Sequence, residues 1–409
     1  MVLLSHPTGN VFVREAASAL YEARLLGEFH TSIAACGGNL LAKIAALPGC
    51  GEIRRREIPA ALKKNLRLHP FREIGRLFAS RAGLKFAIKH EAGFLSVDAV
   101  YRRFDKSVSY CIQNGNFKSV YCYEDGALET FQAAKSKGVV RIYDLPIAHW
   151  KTVRRLMAEE ADRLPNWACT MQGLCDSEEK LRRKDAELNL ADVVICPSFF
   201  VRDSLPSEIL QKKRVEVVPF GSPVISEFAR EAPGAGPFKV LFAGSMTQRK
   251  GLADLFAAVK MLDPKLFELH IMGTPIADIS FYKSQFPNFI YHPPRAHGDV
   301  LKLMQSSDVF VLPSLVEGRA LVQQEAMSCG LPIIVTRNAG GEDLVEDGKA
   351  GYLVPIRDPN AIANKLEQLF KNKDLLIEMG KAAKSKALTL SWSNYRERIV
   401  EIAKSVANG

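Results

Sequence analysis

Two hydrophobic patterns alternate along this 409-residue chain. Short, mostly apolar runs occur at Val2–Ser5, Val120–Tyr123, Val139–Tyr143, Val193–Cys196, Phe238–Gly244, Phe267–Gly273, Phe289–Pro293, Val309–Leu312, Ile333–Thr336 and Gly351–Val354. Runs of this length suit strands buried on both faces of a parallel sheet. Between them, apolar residues recur every three or four positions at Val11–Leu26, Arg249–Leu262, His297–Ser306, from Leu321 onward, and at Pro359–Lys371. These segments predict helices, the last opening on a proline, which the first helical turn tolerates. Strand and helix alternating at this spacing predict an α/β chain with doubly wound sheets.

The pattern repeats at a larger scale. Asp192-Val193-Val194-Ile195-Cys196-Pro197-Ser198 is echoed by Asp308-Val309-Phe310-Val311-Leu312-Pro313-Ser314, each followed by a helix-like segment. Two domains built alike are expected, since 409 residues also exceed what one core usually organises. Gly and Pro concentrate at Ala232-Pro233-Gly234-Ala235-Gly236-Pro237, and a linker is expected from Pro219 to Pro237. We place the domains at residues 1–220 and 221–390, with an amphipathic helix at about 391–409 that could pack back on the first.

Composition changes this picture little: 47% apolar and 24% charged residues describe an ordinary globular protein. The eight cysteines are scattered without metal-ligand spacing and read as reduced thiols of a cytoplasmic protein. The start of the chain lacks the pattern of a secretory signal, and no run approaches a membrane span. A net charge of +10 favours anionic partners. Much of the excess falls between Arg54 and Lys89, where cations interleave with Leu62, Leu66, Phe71, Ile74, Phe78 and Phe86 at helical spacing. That region is either a basic amphipathic face lying on an anionic membrane surface or a core-packed helix with solvated cations. No nucleic-acid docking motif accompanies it, so no nucleic-acid partner is expected.

Ligands of doubly wound sheets collect beyond the carboxyl ends of the strands, and two such places carry chemistry. After the Phe238 strand, Gly244-Ser245-Met246-Thr247-Gln248-Arg249-Lys250-Gly251 sets two cations at the start of a helix, where they oppose the helix dipole unless an anion lies between them. After the Val309 strand, Glu317-Gly318-Arg319-Ala320-Leu321 opens a helix that also carries Glu325. A helix N-terminus offers free N–H groups to a diphosphate, and the two carboxylates can accept from sugar and ribose hydroxyls.

These motifs, with Glu325-Ala326-Met327-Ser328-Cys329-Gly330-Leu331-Pro332, Gly340-Gly341-Glu342 and Asp347-Gly348-Lys349-Ala350-Gly351 in order after them, resemble the retaining glycosyltransferases of family 4, which have the GT-B fold of two facing Rossmann-like domains. The match runs from about residue 192 to 395, and the first 190 residues agree in outline only. The resemblance implies a nucleoside-diphosphate sugar held by the second domain and a glycan or lipid-linked acceptor held by the first. It assigns the diphosphate to Arg249 and Lys250, the ribose to Glu325, the sugar hydroxyls to Glu317, and contacts with sugar and phosphate to backbone near Gly244, Gly318, Arg319, Ala320 and Leu321. Arg295 falls in the stretch lining the base pocket. In the first domain, His149 resembles a histidine that contacts the donor sugar, and His6, Thr8, Gly9 and Asn10 form a loop near the reaction centre.

Two positions depart from the family pattern. Arg319-Ala320 stand where Phe-Gly is common, so the Arg319 guanidinium either selects an anionic sugar or points into solvent, and Ser245 stands where an arginine is common. No Asp-x-Asp triplet occurs, so transfer without a metal or other cofactor is expected, in bacterial surface polysaccharide or lipopolysaccharide synthesis, in the cytoplasm or on the inner face of its membrane. A sugar-nucleotide epimerase or phosphorylase of the same fold, or an idle sugar-binding protein at a membrane surface, are the alternatives.

Overall fold

The computed structural model describes residues 1–38, 41, 43, 56–171, 174–225 and 236–407. The first domain contains β1 (Val2–Ser5), β2 (Leu26–Thr31), β3 (Ala35–Cys36), β4 (Glu57–Ile58), β5 (Leu66–Leu68), β6 (Ser119–Tyr123), β7 (Val140–Asp144), β8 (Val193–Cys196) and β9 (Arg214–Val217). Seven of these form one parallel sheet in the order β5-β2-β1-β6-β7-β8-β9, and β3 pairs with β4 alone. The second contains β10 (Phe238–Ala243), β11 (Phe267–Met272), β12 (Phe289–His292), β13 (Val309–Leu312), β14 (Ile333–Thr336) and β15 (Gly351–Val354), in the order β12-β11-β10-β13-β14-β15. In both sheets the order of strand addition reverses beside the first strand, and a crevice opens at such a switch point.

Period-two alternation explains why these strands read as apolar runs. Val2, Leu4, Tyr121 and Tyr123 face one core of the first domain, while Leu3, Val120 and Cys122 face the other. The helix expected over Val11–Leu26 stops at Glu22, because Arg24 turns to a φ of 58° and Leu26 starts β2. β2 escapes notice because only Leu26 and Phe29 of its six residues are large and apolar, whereas β11 keeps Phe267, Leu269, Ile271 and Met272 around its own Glu and His. His30 is buried against His69 (Nδ1 to Nε2, 3.0 Å) and Glu28 (Nε2 to Oε2, 2.9 Å). The second domain repeats the arrangement on β11, where His270 meets His292 at 2.9 Å and Glu268 on its other side. The imidazoles satisfy one another, so a polar pair is accommodated at equivalent places in both sheets.

The helix Trp392–Ala407 lies on the first domain and completes its core with Tyr395, Ile399 and Ile402 beside Val13, Ala17 and Leu20. Arg396 binds Glu15 at 2.6 Å and Arg398 binds Glu216 at 2.6 Å. The chain therefore crosses between domains twice. The crossings touch, since the Ser222 N–H donates to the Leu390 carbonyl at 2.6 Å and a Cβ on Gly221 would sit 2.4 Å from the Trp392 nitrogen. Residues 226–235 of the expected linker, with Ala232 to Ala235, lie outside the described residues. The first domain also reaches across: the turn Pro165–Thr170 buries Trp167, and after it Met171, in the core of the second.

The region from Arg54 to Lys89 is not one helix. Arg54 and Arg55 lie outside the described residues, and the rest comprises β4, a turn at Ala60–Lys64, β5 and a helix at Phe71–Arg81. Arg56 is buried and bound to Glu73 at 2.6 Å. The described cysteines are all free thiols. Among the described residues no helix is long and apolar enough to cross a membrane.

Candidate active site

A cavity of about 430 Å³ opens at the carboxyl ends of β10, β11 and β13, beside the N-terminus of the helix Leu321–Ser328. Gly244, Lys250, Arg295, Glu317, Ala320, Leu321 and Glu325 line it together. Each arrives by a local device. Gly251 lets the chain turn sharply after Lys250, with a φ of 73°, and any Cβ there would meet the Pro313 carbonyl oxygen at 2.0 Å. That close approach sets the turn carrying both cations directly on the loop after β13. The Leu315 N–H then donates to the Arg249 carbonyl at 2.8 Å.

Glu317 is where the charges meet. One carboxylate oxygen, Oε1, accepts from Lys250 Nζ at 2.6 Å and from Arg249 Nη1 at 2.7 Å. Burial raises the Glu317 carboxyl, but the two cations outweigh it and hold the group below its usual range. Burial, opposed by Glu317, pulls the Lys250 ammonium down. Glu325 shows the reverse: burial, only partly offset by His297, raises its carboxyl. One wall of the cavity is therefore cationic and the other carries a carboxyl that takes a proton more readily than usual.

A second cavity, of about 250 Å³, lies between the domains and is walled by Ile147, Trp150, Asp176, Glu124 and Lys184 of the first and Arg249 of the second. Lys184 Nζ sits 3.4 Å from Glu124 and 3.5 Å from Asp176. Arg249 faces this cavity and Lys250 the first, with Glu317 bridging them. Glu124 belongs to a loop whose turn-forming residues are visible in the sequence. Asp176 and Lys184 carry no signal, because only the packing of the helix Glu178–Leu190 brings them to Glu124.

Four expected residues are placed differently. Arg319 reaches neither a donor nor solvent: its guanidinium is buried, paired with Asp343 at 3.2 Å and with Gln324 Oε1 at 3.2 Å. Gln324 in turn donates to the Phe220 carbonyl at 2.7 Å, so Arg319 fastens the Leu321 helix to the domain crossing. Burial lowers its pKa to about 10. His149 lines neither cavity; its Nδ1 accepts the Lys151 N–H and its Nε2 meets Asp185 at 3.2 Å, so it caps the helix Trp150–Arg163. Gly318 is a packing contact, because a Cβ there would overlap the Pro146 carbonyl oxygen at 1.7 Å. His6 is turned inward against Tyr123, and its Nδ1 accepts from the N–H groups of Thr8 and Gly9, closing the loop on itself. Burial pushes the His6 imidazole down to about 3. Thr8 Oγ1 donates to Asn10 Oδ1 within the same loop.

Packing also assembles two groups that sequence spacing does not show, Glu28 with His30 and Cys111, and His90 with Glu91 and Asp176. Both lie outside the first cavity, and their carboxylates already hold Arg67 and Lys180 respectively.

Two parallel doubly wound sheets facing across a cleft, with a cation pair and two carboxylates at the crevice of the second, define a GT-B architecture. Residues 237–372 match the family model described as Glycosyl transferases group 1, in keeping with the resemblance that the motifs of the second domain carry. A curated relative, the D-inositol 3-phosphate glycosyltransferase of Corynebacterium urealyticum, is 36% identical over 113 residues, which are 28% of this chain and 27% of the relative's length. The shared fold extends over the whole chain. Sucrose-phosphate synthase from Thermosynechococcus elongatus superimposes with a TM-score of 0.68 at 16% identity, covering 99% of this chain and 98% of that one. HepE of Anabaena, in complex with UDP, gives 0.62 at 15% identity, covering 99% of each.

Proposed function

We propose that this protein transfers a sugar from a nucleoside-diphosphate donor to a glycan or lipid-linked acceptor, retaining the anomeric configuration and without a metal. The observation that carries this reading is the convergence of Lys250, Glu317, Glu325 and the Leu321 helix N-terminus on one cavity. The diphosphate would displace Glu317 as the partner of Lys250 and Arg249, with the helix N–H groups supplying further donors. Glu325 would hold the ribose, and Glu317, released from the cations, would accept from the donor sugar. HepE, which has the same fold, is described in complex with UDP, which supports a nucleoside-diphosphate donor.

The acceptor would enter the interdomain cavity, where the apolar face of Trp150 and the polar Glu124, Asp176 and Lys184 suit a hydroxylated ring. In the transfer, the bond from the anomeric carbon to the diphosphate oxygen breaks and a bond to the acceptor oxygen forms on the same face. The acceptor proton passes to the leaving diphosphate. Negative charge grows on that diphosphate in the transition state, and Lys250 and Arg249 are already fixed beside it, which makes electrostatic stabilisation the main contribution of the site. The net charge of +10 supports a role in surface polysaccharide or lipopolysaccharide assembly at a cytoplasmic membrane face.

Thermal shifts with UDP-, GDP-, ADP- and dTDP-sugars, without and with EDTA, test the reading, because a ligand that binds the native state raises its stability by mass action. A shift selective for one nucleotide, insensitive to EDTA and lost in Glu325→Ala is expected. No shift with any nucleotide sugar would refute the donor assignment, and a shift abolished by EDTA would refute its metal independence.

A further inference from the structure

One face of the first domain takes no part in either cavity. The helix Phe71–Arg81 buries only Glu73 and Ala79. Phe71, Ile74 and Phe78, three and four positions apart on one side, are 89%, 47% and 69% exposed. The segment after the helix adds Phe86 at 71% and Phe94 at 62%. The face is one body, since Arg72 Nη1 donates to the Phe94 carbonyl at 3.0 Å and the Leu95 N–H to the Ala87 carbonyl at 2.9 Å. Soluble surfaces scatter single exposed apolar residues, whereas a contiguous set of large aromatic ones marks a place where something docks.

The charges choose the occupant. Between residues 60 and 97 the chain carries Lys63, Lys64, Arg67, Arg72, Arg76, Arg81, Lys85 and Lys89, and its only acids are Glu73 and Glu91. Neither acid is exposed: Glu73 is buried between Arg56 and Arg76, and Glu91 accepts from the Ser177 N–H and hydroxyl. Exposed aromatic rings encircled by cations and stripped of exposed carboxylates match the boundary of an anionic bilayer, with rings in the acyl region and cations among the phosphates. A second copy of the chain would bring the same cations against one another, so the charge disfavours self-association here.

We infer that this face docks the first domain on an anionic lipid surface, inserting Phe71, Phe78, Phe86 and Phe94 and setting Arg72, Lys85 and Lys89 against phosphates. The inference rests on the transfer reading only in naming where an acceptor would be met. Its residues lie outside both cavities, so either can fail without the other.

Flotation of the full chain with vesicles of phosphatidylcholine alone or mixed with phosphatidylglycerol, at low and high salt, is the test. Binding to the mixed vesicles at low salt is expected, falling at least tenfold in Phe78→Ser/Phe86→Ser and in Lys85→Glu/Lys89→Glu. Leu388→Ser, which alters an apolar residue of similar exposure on the second domain, should bind as the parent does. Unchanged melting temperature and donor-induced shift in each variant would show that the fold and donor site are intact. Absence of binding by the parent, equal binding to neutral vesicles, binding unaffected by either double variant, or a concentration-dependent dimer abolished by Phe78→Ser would each overturn the assignment.

Discussion

Glu317 holds two cations with one oxygen, and that geometry makes its substitution informative. In Glu317→Gln the Lys250 ammonium and Arg249 guanidinium lose their resident anion but keep their places through the turn at Gly251. We predict that nucleoside diphosphate affinity, read by calorimetry, is kept or raised while transfer falls by about a hundredfold, the scale of losing one preorganised electrostatic contact. Lys250→Ala should instead lose both binding and turnover. Asp144 offers a pH test away from the site. It is fully buried, accepts the Tyr121 hydroxyl at 2.6 Å, and burial raises its carboxyl to about 7 from 3.8. The unfolded chain releases that proton first, so between pH 3.8 and about 7 the folded state binds more protons and this group's contribution falls by about 1.4 kcal/mol per pH unit as pH rises. Asp144→Asn should remove that slope, and the ratio of its melting temperature to the parent's should be higher at pH 8 than at pH 5. A parallel pH profile for both proteins would contradict this.

At the scale of elements, two glycines set the packing of the donor loops. Gly251→Ala forces a Cβ to 2.0 Å from the Pro313 oxygen in a left-handed backbone, and Gly318→Ala forces one to 1.7 Å from Pro146. Each should cost about 2 kcal/mol or more in chemical denaturation, and the Gly251 variant should also lose donor binding because the cation turn shifts. These elements show what the sequence makes legible. Ile333–Thr336, Gly351–Val354, Pro359–Lys371 and Trp392–Ala407 form where their pattern predicts, because each is an uninterrupted run or a clean helical period. β2 does not announce itself, since Leu26 and Phe29 are its only large apolar residues and its Glu28 and His30 find partners that tertiary packing supplies. The residues of the first cavity were legible because they lie in compact loops and one helix start. The second cavity was not, because Glu124 meets Asp176 and Lys184 only after the helix Glu178–Leu190 packs. Arg319 misleads for the same cause, its partners Asp343 and Gln324 being invisible to a motif.

On the scale of the whole molecule, Glu160 joins the domains. It is fully buried on the helix Trp150–Arg163 and accepts from Gln248 Nε2 at 2.6 Å, Arg357 Nε at 2.7 Å and Arg163 Nε at 3.0 Å. Gln248 directly precedes the Arg249-Lys250 pair, so the contact ties the first domain to the turn that carries both cations. Glu160→Ala removes a buried acceptor shared by Gln248 and the partly exposed Arg163 and Arg357, and should cost about 1–2 kcal/mol of stability. It should also raise donor hydrolysis relative to transfer, since a looser cleft admits water, and a coupled assay comparing released nucleotide with glycosylated product measures that ratio.

The paired crossings at Gly221-Ser222 and Leu390-Ser391 have a consequence for how such a chain can be rebuilt. The chain leaves the first domain after β9 and returns to it only as the helix Trp392–Ala407, so in topological terms the second domain is an insert carried within the first, whose interior needs Tyr395, Ile399 and Ile402 to be complete. A chimera made by one cut near residue 220 would strip those three side chains from the piece that depends on them. Replacing the segment between the two crossings, through two joints set side by side, would exchange the donor module and leave its host whole.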